Sequence, residues 1–407
     1  MANTNLGAAK KAKNDEFYTQ YSDIQKEIDA YLEYDPHTFM GKVVYCNCDD
    51  PFESNFFRYF VLNFKRLGLK QLITTSYKPS PIANTQIGLF GDDKTIEPKK
   101  GRPKVTANKF IINAVDDIDR DGSFTLQDIA EILKANKHNE WAPLESEGDF
   151  RSNECVELLK QSDIVVTNPP FSLFREYIIQ LYEYDKKFVI IANKNTITYK
   201  EVFPLIMKDK LWAGTLSFSK DILFIAPKNA DLSDKPKTAV RVVDGITYLR
   251  SPSVWITNLD HGRRHQPLSL MSMSDNLKFN KKMKNKMAYD HYDNYAAIDV
   301  PFTDAIPSDY EGVMGAPISF LDKYSPEQFE IIGMSKTPIG NHLRTKEYPR
   351  QVQVDKNEKR SNVTKLNDGA AIHVEKPPSD KPYYEVDGKK FIAVYPRVLI
   401  KHRKAAA

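Results

Sequence analysis

The tetrapeptide Asn168-Pro169-Pro170-Phe171 combines residue types that can activate an amino group attached to an aromatic ring. Such a nitrogen is a poor nucleophile because its lone pair is delocalised into the ring. The Asn168 side-chain oxygen and the Pro169 backbone oxygen are two acceptors that, by taking both N–H bonds, localise the lone pair. The prolines restrict the backbone so that both oxygens point to one place, and Phe171 offers a stacking face. The pattern predicts methyl transfer to a planar amino group such as that of adenine, with no general base required.

The elements on either side of this tetrapeptide indicate whether it is a catalytic loop or a simple turn. It follows the apolar strand predicted at 163–167 and precedes the helical pattern SLFREYIIQLYEY, which is the strand–loop–helix context that the chemistry requires. The alternative interpretation is a turn between the two elements. Two further alternatives remain open: a methyltransferase acting on RNA or on protein glutamine, and a DNA-binding protein with a degenerate, non-catalytic methyltransferase fold.

Alternating strand and helix patterns predict an α/β protein with a parallel sheet. Strands are predicted at 42–47, 72–76, 163–167, 188–192, 222–226 and 253–258, and helices at 54–68, 172–184 and 199–210. The lysine- and proline-rich stretch 92–147 is interpreted as an irregular insertion. After His261 the strand and helix patterns no longer alternate, and the last clear strand is predicted at 394–400. We therefore predict a catalytic domain at 1–260 and an irregular second domain at 261–407.

The loop after the first strand is a candidate binding site for the methionine end of a methyl donor. Asn47, Cys48 and Asp50 lie in it, and in a parallel sheet ligands bind at the carboxyl ends of the strands. A carboxylate there can bind the ammonium group of the cofactor S-adenosylmethionine. The alternative is helix capping by Asp50 or Ser54.

Two other segments are cofactor candidates. Asp149 could accept a hydrogen bond from the adenine amino group of the cofactor, with Phe150 against the ring; the alternative is capping of the next helix. Near the N-terminus, Phe17, Tyr18 and Thr19 could cover the cofactor or lie on the surface.

An acidic stretch matches the spacing of a calcium-binding loop. Acids occupy positions one, three and five, Gly122 position six, and an aspartate replaces the usual glutamate at position twelve. We favour an acidic turn over a metal site here. The candidate ligands are Asp117, Asp119, Asp121 and Asp128.

Composition indicates a cytoplasmic, globular protein. The three cysteines, Cys46, Cys48 and Cys155, are too few for a disulfide framework, and no apolar stretch is long enough for a membrane span. Residues 261–407 carry 24 Lys+Arg against 18 Asp+Glu, whereas the whole chain has a net charge of +4. Basic clusters at 281–286 and 401–404 can attract a phosphate backbone; the alternative is a solvated surface.

Many segments besides the tetrapeptide resemble the EcoRI-type DNA adenine-N6 methyltransferases, from about residue 14 to residue 401. They are KNDEFYTQYSDI, KVVYCNCDDP, SNFFRYF, SDIVVTNPPFSLFREYI, YDKKFVIIAN, ITYKEVF, WITNLD, YDNYAAIDV, DYEGVMGAPISFL, SPEQFEIIG and YPRVLIK. The resemblance implies a Rossmann-like fold that binds S-adenosylmethionine, followed by a target-recognition region. It also implies a monomer that flips the target adenine out of double-stranded DNA and protects DNA from a partner restriction endonuclease.

The resemblance also assigns roles to single residues. Residues 168–171 match the catalytic motif, and Phe17, Tyr18 and Thr19 match the N-terminal cofactor motif. Asp50 matches the acid of the first cofactor loop, while Asp149 and Phe150 match the adenine-binding motif. The chain departs from the family pattern in the first cofactor loop, the one that contains Asp50, where Ser54 and Phe56 stand in place of the usual glycines. Cys48 or Asp49 is therefore an alternative to Asp50.

Overall fold

A computed structural model describes residues 18–48, 54–76, 107–115, 138–226, 232–233, 235–284 and 286–403. The chain divides into two compact units. The first unit comprises Met1–Thr196 and Ala213–Gly262, and the second comprises Ile197–Trp212 and Arg263–Ala407. Among the described residues no helix is both long and apolar enough to cross a membrane.

Twelve strands precede residue 258 in the part of the chain that the structure describes. They are β1 (Tyr18–Thr19), β2 (Val43–Asn47), β3 (Gln71–Thr75), β4 (Asn108–Ile112), β5 (Glu140–Pro143), β6 (Ile164–Thr167), β7 (Lys187–Asn193), β8 (Trp212–Ala213), β9 (Ile222–Ile225), β10 (Val240–Val243), β11 (Ile246–Ser251) and β12 (Ser253–Thr257). Eight of them form one sheet in the order β5-β4-β3-β2-β6-β7-β12-β8. The four central strands β3, β2, β6 and β7 are parallel, and β4, β5 and β12 run antiparallel to their neighbours.

Five helices of the first unit are described, of which two begin at a serine cap and one ends at a glycine. They are α1 (Tyr21–Tyr34), α2 (Asn55–Leu62), α3 (Phe64–Leu67), α4 (Asn153–Gln161) and α5 (Phe174–Glu183). The Ser54 hydroxyl accepts a hydrogen bond from the Phe56 N–H and so caps α2, and Ser152 caps α4 in the same way. Gly68 ends α3 with φ 62°, the left-handed conformation that glycine adopts without strain. Aromatic side chains of α1 and α2 pack with apolar residues of the central strands to form the main core of this unit.

Two parts of the stretch 92–147 are described, residues 107–115 and 138–147, and they do not have the irregular structure that their composition predicts. These parts supply β4 and β5, which extend the sheet beyond β3. Only alternate side chains of β4 are fully buried and β5 has none. These strands therefore lack the continuous apolar run that makes the central strands recognisable.

A smaller sheet of the first unit has the order β1-β9-β11-β10. In it Thr19 pairs with Phe224, and the Gln20 side chain donates to the Leu223 carbonyl oxygen. The sheet therefore holds the N-terminal segment against residues far away in the sequence.

The second unit is built from two further antiparallel-rich sheets, so the prediction of an irregular domain after residue 261 is wrong. Its strands are β13 (Ala297–Asp299), β14 (Val313–Pro317), β15 (Phe329–Met334), β16 (Gln351–Val354), β17 (Arg360–Val363), β18 (Ala371–His373), β19 (Tyr383–Val386), β20 (Lys389–Ala393) and β21 (Arg397–His402). The sheets have the orders β13-β14-β21-β15 and β17-β16-β19-β20-β18. Two short helices, α6 (Phe203–Met207) and α7 (Met273–Phe279), belong to the same unit.

The segment predicted as a helix at 199–210 is helical only over α6, and it belongs to the second unit rather than to the first. The buried Arg264 explains this placement. Its guanidinium lies 3.9 Å from the centre of the Trp212 ring and pairs with Asp209. A paired, largely buried cation of this kind fixes the segment in position.

Candidate active site

Two of the described candidate residues, Asn47 and Asn168, lie at the carboxyl ends of β2 and β6. The chain passes from β2 to β3 on one side and later returns to β6 on the other side of β2. Strand order therefore reverses between β2 and β6, and such a switch point leaves a crevice in which ligands bind. Asn47 ends β2, and Asn168 directly follows β6.

The Asn168–Phe171 loop leaves β6 and leads through one 3-10 turn (Phe171–Leu173) into α5. Asn168 is half-buried with its Oδ1 atom buried, and Pro169 is buried. The Pro170 carbonyl oxygen accepts from the Leu173 N–H at 3.0 Å. By contrast, no backbone N–H of the described residues outside the helices and strands donates to the Pro169 carbonyl oxygen, which leaves it capacity for a ligand N–H. Phe171 is half-buried and packs on the main core.

Tyr177 of α5 connects the catalytic loop to two of the predicted cofactor residues. Its hydroxyl donates to Asn47 Oδ1, and its ring meets the Phe150 ring edge-on, with centroids 5.0 Å apart. From the next turn of α5, Gln180 Nε2 donates to the Phe150 carbonyl oxygen at 3.1 Å. A second bond, from Thr167 Oγ1 to the Asn47 carbonyl oxygen, joins β6 to the end of β2. The structure thus brings Asn47 and Phe150 together with the helix that follows the catalytic loop.

Gly148 holds the Asp149–Phe150 loop against the end of β3. It has φ 79°, and a Cβ atom at this position would lie 2.0 Å from the Ser76 carbonyl oxygen. Only glycine can bring the backbone so close, because any other residue adds both a clash and left-handed strain.

Asp149 is held by Arg151. One carboxylate oxygen accepts from the Arg151 backbone N–H and Nε, both at 2.9 Å, and the other lies 2.7 Å from Nη2. Burial alone would raise the pKa of Asp149, but the hydrogen bonds and charge of Arg151 lower it below its usual value. Arg151 also pairs with Glu176 of α5 at 2.5 Å. Asp149 is therefore ionised and fixed in direction, as an acceptor for a ligand amino group must be.

The N-terminal strand β1 reaches the start of α2, the helix that follows the first candidate loop. Asn55 Nδ2 donates to the Thr19 carbonyl oxygen at 2.7 Å. The Thr19 hydroxyl is buried and has no hydrogen-bond partner among the described residues. A buried hydroxyl without a partner is suited to bind a polar ligand. Thr19 therefore fits a cofactor bound at the edge of the sheet where β2 ends.

Other candidates lie partly or wholly outside the described residues. Cys48 adopts φ 64° immediately after β2, a conformation that is uncommon without glycine and often marks functional loops. Phe17 and Asp50 lie outside the described part of the chain, and so does the acidic stretch with Asp117, Asp119, Asp121 and Asp128. Within the described ranges no cluster of three or more His, Cys, Asp or Glu side chains could hold a metal ion. Cys46, Cys48 and Cys155 form no disulfide bond.

Sequence reasoning missed three residues of this site: Tyr177, Arg151 and Gly148. Tyr177 lies in an apolar helical pattern, where an aromatic residue is normally interpreted as core. The glycine next to Asp149 and Phe150 was the available signal, because a glycine beside a candidate binding residue indicates a close backbone approach.

A family model described as "Adenine-specific methyltransferase EcoRI" matches residues 5–403. The chain is therefore an adenine-specific methyltransferase, as its sequence predicts. It belongs to the EcoRI methylase family, which the model matches along nearly the whole chain.

Three relatives extend this result. The chain is 44% identical to the Type II methyltransferase M.EcoRI of Escherichia coli, over 81% of this chain and 89% of that protein. It is 33% identical to M.MpnI of Mycoplasma pneumoniae, over 84% and 90%, and 33% identical to M.MgeORF184P of Mycoplasma genitalium, over 85% and 92%. No solved structure shows significant similarity to the chain. The predicted enzyme class, a site-specific DNA adenine methyltransferase, is thereby confirmed.

Proposed function

We propose that the chain transfers a methyl group from S-adenosylmethionine to N6 of an adenine flipped out of double-stranded DNA, and that the crevice between β2 and β6 is its active site. The arrangement around Tyr177 carries the proposal, because it joins Asn47, Phe150 and the helix after the Asn168 loop at one switch point. Family membership favours adenine over the alternatives of RNA or protein amides.

In this proposal Asn168 Oδ1 and the Pro169 carbonyl oxygen accept hydrogen bonds from the two N6–H groups. That geometry favours a tetrahedral nitrogen whose lone pair points away from the ring. Phe171 stacks on the flipped base. When bound, S-adenosylmethionine supplies the methyl carbon: the N–C bond forms, the C–S bond breaks with its electron pair remaining on sulfur, and one N6 proton passes to solvent.

The residues that would hold the cofactor are distributed along the same edge of the sheet. Asn47, Cys48 and Asp50 are proposed for the methionine end, with Phe17, Tyr18 and Thr19 covering it. The buried Thr19 hydroxyl supports this assignment.

At the adenine end, Asp149 is proposed to accept from the cofactor amino group through a carboxylate lone pair that Arg151 does not use. Phe150 supports the ring position from the core. Oriented carboxylates of this kind can accept several bonds at once.

The wider assignments form part of the same proposal. The first unit would be a Rossmann-like methyltransferase fold, and the region from 261 onward would recognise the DNA target. The enzyme would act as a cytoplasmic monomer and protect DNA from a restriction endonuclease cutting the same site, without contacting that endonuclease.

Long-read sequencing of genomic DNA from an expressing strain tests the proposal. We expect N6-methyladenine at one sequence motif, and none at that motif in a strain expressing the Asn168→Ala variant. Methylation confined to RNA or protein would overturn it.

A further inference from the structure

We propose that a basic, partly apolar surface at the end of α7 binds the phosphate backbone of double-stranded DNA. It consists of Lys278, Phe279, Lys281, Lys284 and Met287, and we call it the α7 surface. The inference rests on the proposed function and adds to it the place on the second unit where DNA is held.

The lysines of the α7 surface are exposed and available for phosphates. Lys278, Lys281 and Lys284 form no ion pair with any described carboxylate. Their neighbours differ, because Lys282 pairs with Asp304 at 2.7 Å and Lys286 pairs with Asp290. Three uncompensated positive charges within seven residues attract a polyanion.

Two large apolar side chains lie exposed among these charges. Phe279 is 61% exposed and Met287 is 96% exposed. Lys278 Nζ lies 4.9 Å from the centre of the Phe279 ring. A merely solvated lysine face gains nothing from exposed apolar groups, whereas some proteins that bind DNA insert Phe or Met side chains between its base steps.

Buried residues anchor the described chain on either side of the exposed side chains of the α7 surface. Asn276 is fully buried and its amide donates to the Met271 and Ser272 carbonyl oxygens. Met283 is fully buried, and the Tyr289 hydroxyl donates to the Ala305 carbonyl oxygen at 2.7 Å. These buried anchors restrict the backbone that carries the exposed side chains, and such restriction lowers the entropic cost of binding.

The first experiment measures the affinity for a labelled random-sequence duplex as salt rises from roughly 50 to about 200 mM. The test variant carries Lys278→Gln, Lys281→Gln and Lys284→Gln. Three lost phosphate contacts reduce the slope of log K against log salt by about 2.7, so that the parent loses about 40-fold more affinity over this range than the variant.

The control variant carries Lys26→Gln, Lys65→Gln and Lys70→Gln, three exposed lysines of the first unit. It has the same net charge as the test variant. If the α7 surface binds DNA, this control keeps the parent slope. Equal slopes in the parent and the test variant, or equal reductions in both variants, would overturn the inference.

A second variant separates apolar contact from charge. Met287→Ala leaves the salt slope unchanged but lowers the affinity by about fivefold at all salt concentrations, corresponding to about 1 kcal/mol. Met40→Ala, which removes another exposed methionine, has no effect. An unchanged affinity in Met287→Ala would refute the proposed contact between Met287 and DNA.

Methylation by the parent enzyme distinguishes failure of this inference from failure of the proposed function. A parent that methylates DNA while the lysine variant keeps the parent slope refutes only the α7 surface. A parent that neither binds nor methylates DNA refutes both.

Discussion

Replacing Gly148 by alanine tests whether the Asp149–Phe150 loop forms part of the cofactor site. An added Cβ would lie 2.0 Å from the Ser76 carbonyl oxygen and 2.9 Å from Ala107 Cβ. Since real Cβ contacts below 3.0 Å essentially never occur, the loop has to move by about 1 Å. The left-handed backbone, φ 79°, adds strain of about 1–2 kcal/mol.

Gly245→Ala is a matched control for this strain. Gly245 has φ 77°, and nothing lies within 4 Å of its added Cβ. Both variants therefore lose about 1–2 kcal/mol of unfolding free energy from the backbone alone, and any further difference between them comes from the clash at Gly148.

The assay is steady-state transfer of a labelled methyl group, with the concentration of S-adenosylmethionine varied and denaturant unfolding measured in parallel. A shift of about 1 Å at a binding loop can reduce kcat/KM by up to about 100-fold, or about 2.7 kcal/mol. We expect that loss in Gly148→Ala and parent activity in Gly245→Ala. Equal kcat/KM in the two variants would refute the placement of this loop in the site.

Three further substitutions test other contacts. Arg151→Ala removes the group that lowers the pKa of Asp149 against the effect of burial. In the parent, the ionised Asp149 stabilises the folded state above roughly pH 4, and this stabilisation is lost as pH falls through the lowered pKa. In the variant, the unfolding free energies measured at acidic and at neutral pH should therefore differ less than they do in the parent. The same difference in the variant as in the parent would contradict this expectation. Glu27→Ala removes the carboxylate that accepts from the buried Tyr31 hydroxyl and from the N–H and hydroxyl of Thr215. It should cost about 2–3 kcal/mol in urea unfolding, whereas a loss under about 0.5 kcal/mol would be inconsistent with those bonds. Tyr177→Phe deprives Asn47 of its donor and should weaken S-adenosylmethionine binding by about fivefold in calorimetry; unchanged affinity would argue against the link.

The central strands and their loops could be predicted because burial on both faces leaves a continuous apolar run. Val43–Asn47 and Ile164–Thr167 are such runs, and each ends in a polar residue at the candidate site. The sequence offers Asp50 and Ser54 as possible caps for α2, and the structure shows Ser54 as the cap.

Apart from the strand predicted at 394–400, which the structure shows at Arg397–His402, the strands of the second unit could not be predicted because several of them are short and polar on one face. Arg360–Val363 has no fully buried residue, and Gln351–Val354 is buried only at its ends. Antiparallel pairing supplies the hydrogen bonds that hold such strands, and a single-sequence pattern does not contain the partner.

The first cofactor loop shows a similar limit. The sequence lacks the expected glycines there, but Cys48 itself takes a left-handed conformation. The local sequence does not predict this conformation of Cys48, because a left-handed backbone at a cysteine is held by the surrounding fold rather than by the residue itself.

Single-turnover methylation by the Asn168→Ala variant tests the central claim most directly. If Asn168 Oδ1 accepts one of the two N6–H bonds, the transfer rate falls by about 100- to 1000-fold, while affinity for duplex DNA stays within about twofold of the parent. Asn168→Asp, which keeps an acceptor oxygen, retains more activity than the alanine variant. A transfer rate within about tenfold of the parent in Asn168→Ala would contradict the account.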